Sequence, residues 1–128
     1  MNAELAIQKA VYDILVANSP SYDVYDDVPQ NADYPYYVIG ESTSEEFDTK
    51  SFNGFETSVI VHSWSRYNGR KEVKEMMGTA YALLHNQSIT VTGYNRVNCL
   101  FEFSETFLED DGETRHGIQR FNLTITEE

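Results

Sequence analysis

The order of hydrophobic patterns along the chain, helix, three strands, helix, three strands, predicts an α+β fold: a mainly antiparallel β-sheet with two α-helices packed on one face. Two observations carry this expectation. Val73, Met76, Met77, Ala80, Tyr81 and Leu84 recur at the three- and four-residue spacing of a helix with one buried face. Residues 55–65 instead alternate, with Phe55, Thr57, Val59 and Val61 on one side and Ile60, His62 and Trp64 on the other, which is the period of a strand.

The first helix begins after Asn2, a suitable N-cap, and carries Ile7, Val11, Ile14 and Leu15 on its inner side. Asn18-Ser19-Pro20 ends it, because proline cannot donate to the helical ladder. A short strand follows at 22–25 and a second at 35–39, where Tyr36, Tyr37, Val38 and Ile39 are aromatic or β-branched. Residues 41–54 are polar and acidic, with Phe47 and Phe52 their large apolar groups, and are expected to form a flexible loop. The second helix is expected to start near Asn68. Residues 89–92 suggest a short strand ahead of Gly93. Two longer strands at 96–107 and 118–126 are joined by Glu109-Asp110-Asp111-Gly112-Glu113, whose residues suit a hairpin turn.

A chain of 128 residues fits one domain, expected here over 1–128. Seven Phe and nine Tyr within a 41% hydrophobic composition supply a core. The net charge of −12 opposes binding to nucleic-acid phosphates, which needs Lys or Arg to displace counterions. The single Cys99 excludes an intramolecular disulfide and a multi-cysteine zinc site. With no apolar run of membrane-spanning length and no signal-peptide pattern at the start, the expectation is a soluble intracellular product without membrane contact.

Catalytic patterns are sparse. His62, His85 and His116 are distant in sequence and sit on different elements, so structural roles are expected for them. Cys99 alternates with Val97, Phe101 and Phe103 and reads as core. Glu109, Asp110, Asp111 and Glu113 lack the ligand order of a calcium loop and read as a solvated turn. There is no phosphate-binding glycine loop and no nucleophile elbow, so neither cofactor nor catalytic residues are assigned. Two other readings stay open: a small metal-dependent hydrolase or nuclease using His62 and His116, and an acidic monomeric adaptor that mimics DNA.

The charge distribution says more. Arg66, Arg70, Lys71 and Lys74 are four of nine basic residues in a chain with 21 acidic ones. Arg70 and Lys71 fall at a helix start, where the dipole disfavours cations by about 0.3–1 kcal/mol each. Arg66, Arg70 and Lys71 are candidates to pair within the subunit or to meet acidic residues of a neighbour, for which Glu41, Glu45, Glu46 and Asp48 or Asp110, Asp111 and Glu113 are the candidates. Patches of opposite sign on one molecule suit head-to-tail assembly, which closes into a ring when the rotation permits.

Three stretches carry a family likeness: Val24-Tyr25-Asp26-Asp27-Val28-Pro29-Gln30 with Tyr34-Pro35-Tyr36; Trp64-Ser65-Arg66 with Gly69-Arg70-Lys71-Glu72-Val73-Lys74; and Phe101-Glu102-Phe103-Ser104-Glu105-Thr106-Phe107 with Asp111-Gly112, Thr114-Arg115-His116-Gly117 and Arg120-Phe121. In this succession the chain resembles the tail-completion or tail-terminator family of long-tailed phages, prophages and gene transfer agents. The resemblance implies a sheet with helices on one side, similar to the lambda-type tail terminator, and no catalytic residues. It implies a homohexameric ring on the end of the tail tube that stops polymerisation and docks to the head connector. The partners would be the tail tube protein and a head-completion or connector protein, with DNA passing the lumen unbound. The place would be the virion, at the head–tail junction, after assembly in the host cytoplasm.

Overall fold

A computed structural model describes residues 3–19, 21–48 and 53–127. In chain order the elements are α1 (Ala3–Asn18), β1 (Asp23–Tyr25), β2 (Tyr36–Asp48), β3 (Asn53–Ser65), α2 (Lys71–Leu84), β4 (Tyr94–Leu108) and β5 (Arg115–Glu127). The five strands form one sheet in the order β1-β2-β3-β5-β4; β1 runs parallel to β2 and every other pairing is antiparallel. The α+β architecture matches the one the pattern predicts. The Asn2 cap and Pro20 lie outside the described residues.

Both helices pack on the same side of the sheet. They touch one another, and their buried faces share one cluster with Tyr37, Ile39, Val59, Val61, Cys99, Phe121, Leu123 and Ile125. Burying these side chains supplies the main drive to fold, about 1.5–3 kcal/mol for each large one. Two polar fasteners fix α2 in addition: the Tyr37 hydroxyl donates to the Met76 carbonyl at 2.6 Å, and Gln119 Nε2 donates to the Met77 carbonyl at 2.8 Å. Burial pushes the Tyr37 phenol well above its ordinary pKa, so it stays a donor. Burial likewise pushes the Cys99 thiol up to about 12, as expected of an inert core cysteine.

Several expectations change. The segment expected as a flexible loop at 41–54 is mostly ladder: β2 continues to Asp48 and β3 begins at Asn53, with Ser42–Asp48 paired to residues 53–59. Residues 49–52, Phe52 among them, are outside the described residues. Residues 41–46 are exposed, so no apolar alternation betrays the strand; the backbone ladder to β3 holds it. No strand forms at 89–92. Ile89 and Val91 are buried, yet the isolated bridge nearby, Ser88 to Asn98, lies just ahead of the segment. The second helix starts at Lys71 rather than near Asn68, because 68–70 turn through Gly69 at φ +90°. Tyr81 is 42% exposed and lies beside the stripe, stacked on His85. A bulge between Phe101 and Phe103 flips the side-chain phase of β4, so Phe103 leaves the face of Cys99 and Phe101 and joins the bare face of the sheet.

Candidate assembly site

The basic turn between β3 and α2 is built by local hydrogen bonds. Ser65 Oγ donates to Glu72 Oε1 at 2.6 Å and accepts from the Tyr67 amide at 3.1 Å. Beyond it, Arg66 folds back on its own subunit: Nε donates to Thr114 Oγ1 at 3.1 Å, Nη2 lies 3.8 Å from Asp111 Oδ2, and the guanidinium sits 4.3 Å over the Tyr34 ring. Arg70 occupies the N-cap position of α2 without a side-chain cap, and Lys71 reaches Glu75 at 3.9 Å. Arg70 and Lys74 are exposed and make no ion pair among the described residues.

Asp111 organises the β4–β5 tip. Its Oδ1 accepts from the amides of Glu113 at 2.9 Å and Thr114 at 2.8 Å, and its Oδ2 accepts from Thr114 Oγ1 at 2.6 Å. Those donors, aided by Arg66, hold its carboxyl down at about 2. Gly112, at φ +71°, makes the turn. Asp110 and Glu113 stay exposed beside it.

The acidic candidates on the β2–β3 arm lie elsewhere. Glu45 is directly opposite Glu56, and Glu46 is opposite Phe55. Asp48 pairs through its backbone with Asn53; its side chain is outside the described residues. This arm and the basic turn stand at opposite ends of β3, about 30 Å apart at roughly 3.3 Å per residue. Arg66 and Asp111 are therefore brought together within one subunit, whereas Arg70 and Lys71 are kept apart from Glu45 and Glu46.

The bare face of the sheet holds a cluster that spacing did not reveal. His62 Nδ1 and His116 Nε2 are 2.7 Å apart, His62 Nε2 lies 2.9 Å from Glu41 Oε1, and His116 Nδ1 lies 2.8 Å from Glu109 Oε1. Trp64 stacks on His116 with ring centroids 3.7 Å apart, and Phe107 meets the ring edge-on at 4.8 Å. Two neutral imidazoles carry two ring N–H protons for these three contacts, so the donor in each contact is set by the tautomers. Burial lowers the pKa of His116 against the opposing pull of Glu109, and the His62 hydrogen bond lowers that of Glu41. All four ring nitrogens are occupied by one another or by glutamate. They do not converge on a point where a metal could bind, and no metal-holding group occurs among the described residues. The hydrolase reading loses its geometry here. No signal in the sequence marks this pairing except that His62 and Trp64 share a strand face.

A groove of about 350 Å³ opens beside the cluster, lined by Asp26, Val28, Tyr36, Val38, Glu41 and Trp64 among others. The same face exposes Leu100, Phe103 and Phe107 at 37–44%.

Comparison with known proteins places this arrangement. The family model described as tail completion protein gp17 matches residues 5–126. A curated relative, the tail completion protein gp17 of Bacillus phage SPP1, is 28% identical over 127 residues, which is 96% of this chain and 94% of the relative. Among solved structures, a chain in the virion of a native gene transfer agent particle superposes with a TM-score of 0.80 at 16% identity, covering 96% of both chains, and shares the fold. The chain therefore belongs to the tail completion protein gp17 family, whose members are structural components of phage tails rather than enzymes.

Proposed function

We propose that this tail completion protein acts as a homohexameric ring on the last ring of the tail tube of a long-tailed particle. There it ends tube polymerisation and offers the surface on which a head-completion or connector protein docks. The match to tail completion proteins over residues 5–126 carries the reading. The separation of a basic turn from an acidic arm by the length of β3 supports it, since head-to-tail contact needs unlike patches on one molecule. Arg70, Lys71 and Lys74 would face acidic groups of the neighbour, with Glu45, Glu46, Asp48, Asp110 and Glu113 as the candidates; Arg66 and Asp111 would shape the tip that presents them.

Six copies bring together about seventy negative charges, a self-repulsion that delays closure until a tail end templates the ring. The same charge lets DNA pass the lumen without adhering. Assembly would take place in the host cytoplasm, and the mature position would be the head–tail junction of the virion. The test is to remove the protein and image the particles. Overlong, headless tubes that return to uniform length on complementation are expected; normal, head-joined tails without it would refute the proposal.

A further inference from the structure

The sheet has two open edges, and their strands run in opposite directions. On one side, β1 covers β2 at Tyr36, Tyr37 and Val38 and no further, leaving residues 40–48 without a neighbouring strand among the described residues. On the other side, the connection after α2 covers the upper half of β4. The Asn86 amide donates to the Cys99 carbonyl at 2.7 Å, the Phe101 amide donates to His85 Nδ1 at 3.0 Å, and Ser88 bridges Asn98. Residues 102–108 have no such cover among the described residues, and here Phe103, Phe107 and Leu108 are 37–44% exposed. An unpaired edge of this length is a template for another strand.

We propose that the next copy of this chain supplies that strand: residues 102–108 of β4 pair antiparallel with residues 40–48 of β2 in the neighbouring subunit, so that the ring is one continuous sheet. The inference rests on the ring reading and gives it a surface. β2 and β4 run in opposite directions within the sheet, so two copies related by rotation alone meet antiparallel, with their helices on the same side. This is a heterologous contact and can close.

Face and charge select the register. Ser44 and Ser104 pair within their own sheet with Thr57 and Gln119, so both belong to the helix side, and a one-residue slip would mix the faces. With Ser44 opposite Ser104, Thr43 meets Glu105, Glu45 meets Phe103 and Glu41 meets Phe107; Glu46 falls beside Glu102, whose charge Arg120 holds at 3.0 Å. Of the acidic candidates, Asp110 and Glu113 at the hairpin tip, not Glu45 and Glu46, are then left to face the neighbour's basic turn. A two-residue slip one way would set Glu45 against Glu105, and the other way Glu41 against Glu105, which like charge disfavours. In the chosen register the copies are offset by four residues along β3, from Thr57 to Val61, across a repeat of four strands, β2, β3, β5 and β4, since β1 flanks β2 at 36–38 alone. At about 3.4 Å per residue and 4.8 Å per strand this is a slope of roughly 35°, at the lower end of the tilt of about 35–45° at which sheets close. The glutamates flanking both edges act as a gate, since they repel until screened or held together by a tail end.

The test is disulfide trapping with Ser44→Cys and Ser104→Cys in one chain, oxidised at high protein concentration in low and in high salt. A ladder of covalent oligomers is expected from the double variant, with a yield several-fold higher in high salt. Each single variant, and the opposite-face pair Ser44→Cys with Glu105→Cys, should stay monomeric on a denaturing gel. Association seen by sedimentation with no ladder, or a ladder no stronger than the opposite-face pair gives, would overturn edge pairing and leave the ring reading standing. Absence of both association and ladder would overturn edge pairing, and absence of rings on tails as well would overturn the ring reading.

Discussion

Replacing Leu84 with Ala tests the docking of α2 most directly. Leu84 is the last residue of α2, fully buried in the cluster that also holds Met76, Ala80, Ile89 and Cys99. The truncation removes three carbons, worth about 0.8 kcal/mol each in lost transfer energy, or roughly 2.4 kcal/mol. A cavity that does not collapse adds about 24 cal/mol per Å³, or roughly 1–2 kcal/mol for a void of about 40–80 Å³. The turn at His85 and Asn86 can relax more than a mid-helix site, so a loss of about 2.5–4 kcal/mol is expected from a domain whose whole stability is of order 5–15 kcal/mol. Urea unfolding at two protein concentrations measures it, the second concentration showing whether association contributes. The control is Leu5→Ala, at a position 63% exposed on α1, which should cost under about 0.5 kcal/mol. Equal losses for the two variants, or a Leu84→Ala loss below about 0.5 kcal/mol, would mean that α2 is not docked as described.

Other outcomes follow from the same structure. Reversing both Arg70 and Lys71 to Glu should leave the subunit folded by circular dichroism but produce overlong tails by electron microscopy; uniform tails would confine these charges to solvent or to their own subunit. The folded-state pKa of His116 is depressed, so the unfolded chain takes the proton first and stability should fall as pH drops from 8 through about 6.5 to 5; the urea midpoint should show this slope, His116→Gln should flatten it, and an unchanged slope would remove the cluster from the account. A Cβ at Gly117 would sit 2.5 Å from Met77 Sδ and 3.2 Å from Val73 Cγ2, so Gly117→Ala should cost about 1–3 kcal/mol, against near neutrality if α2 rides higher on the sheet. Stoichiometric zinc or manganese in protein purified without added metal, lost on His116→Ala, would contradict the saturated histidine geometry.

Elements whose burial is periodic are readable from the residues alone. Met76, Met77, Ala80 and Leu84 write the inner face of α2, Val59 and Val61 write the inner face of β3, and Asp111-Gly112 writes the β4–β5 turn, because each is a local pattern that needs no distant partner. Family membership was legible too, in the succession of motifs around Tyr25, Arg66 and Arg115. The features that no local pattern announces depend on pairing. The acidic arm at 41–48 is a strand because β3 supplies its ladder, although its exposed residues carry no strand alternation. Phe103 and Phe107 face the bare side because one bulge shifts the phase of β4, an insertion that composition does not announce. His62 and His116, 54 residues apart, meet because antiparallel register sets Trp64 opposite His116, a consequence of topology. The assembly charges divide in the same way: Asp111 and Thr114 capture Arg66 once the hairpin tip folds beside the basic turn, and Arg70 has no acidic partner within reach on its own subunit among the described residues, so it keeps its charge at the surface.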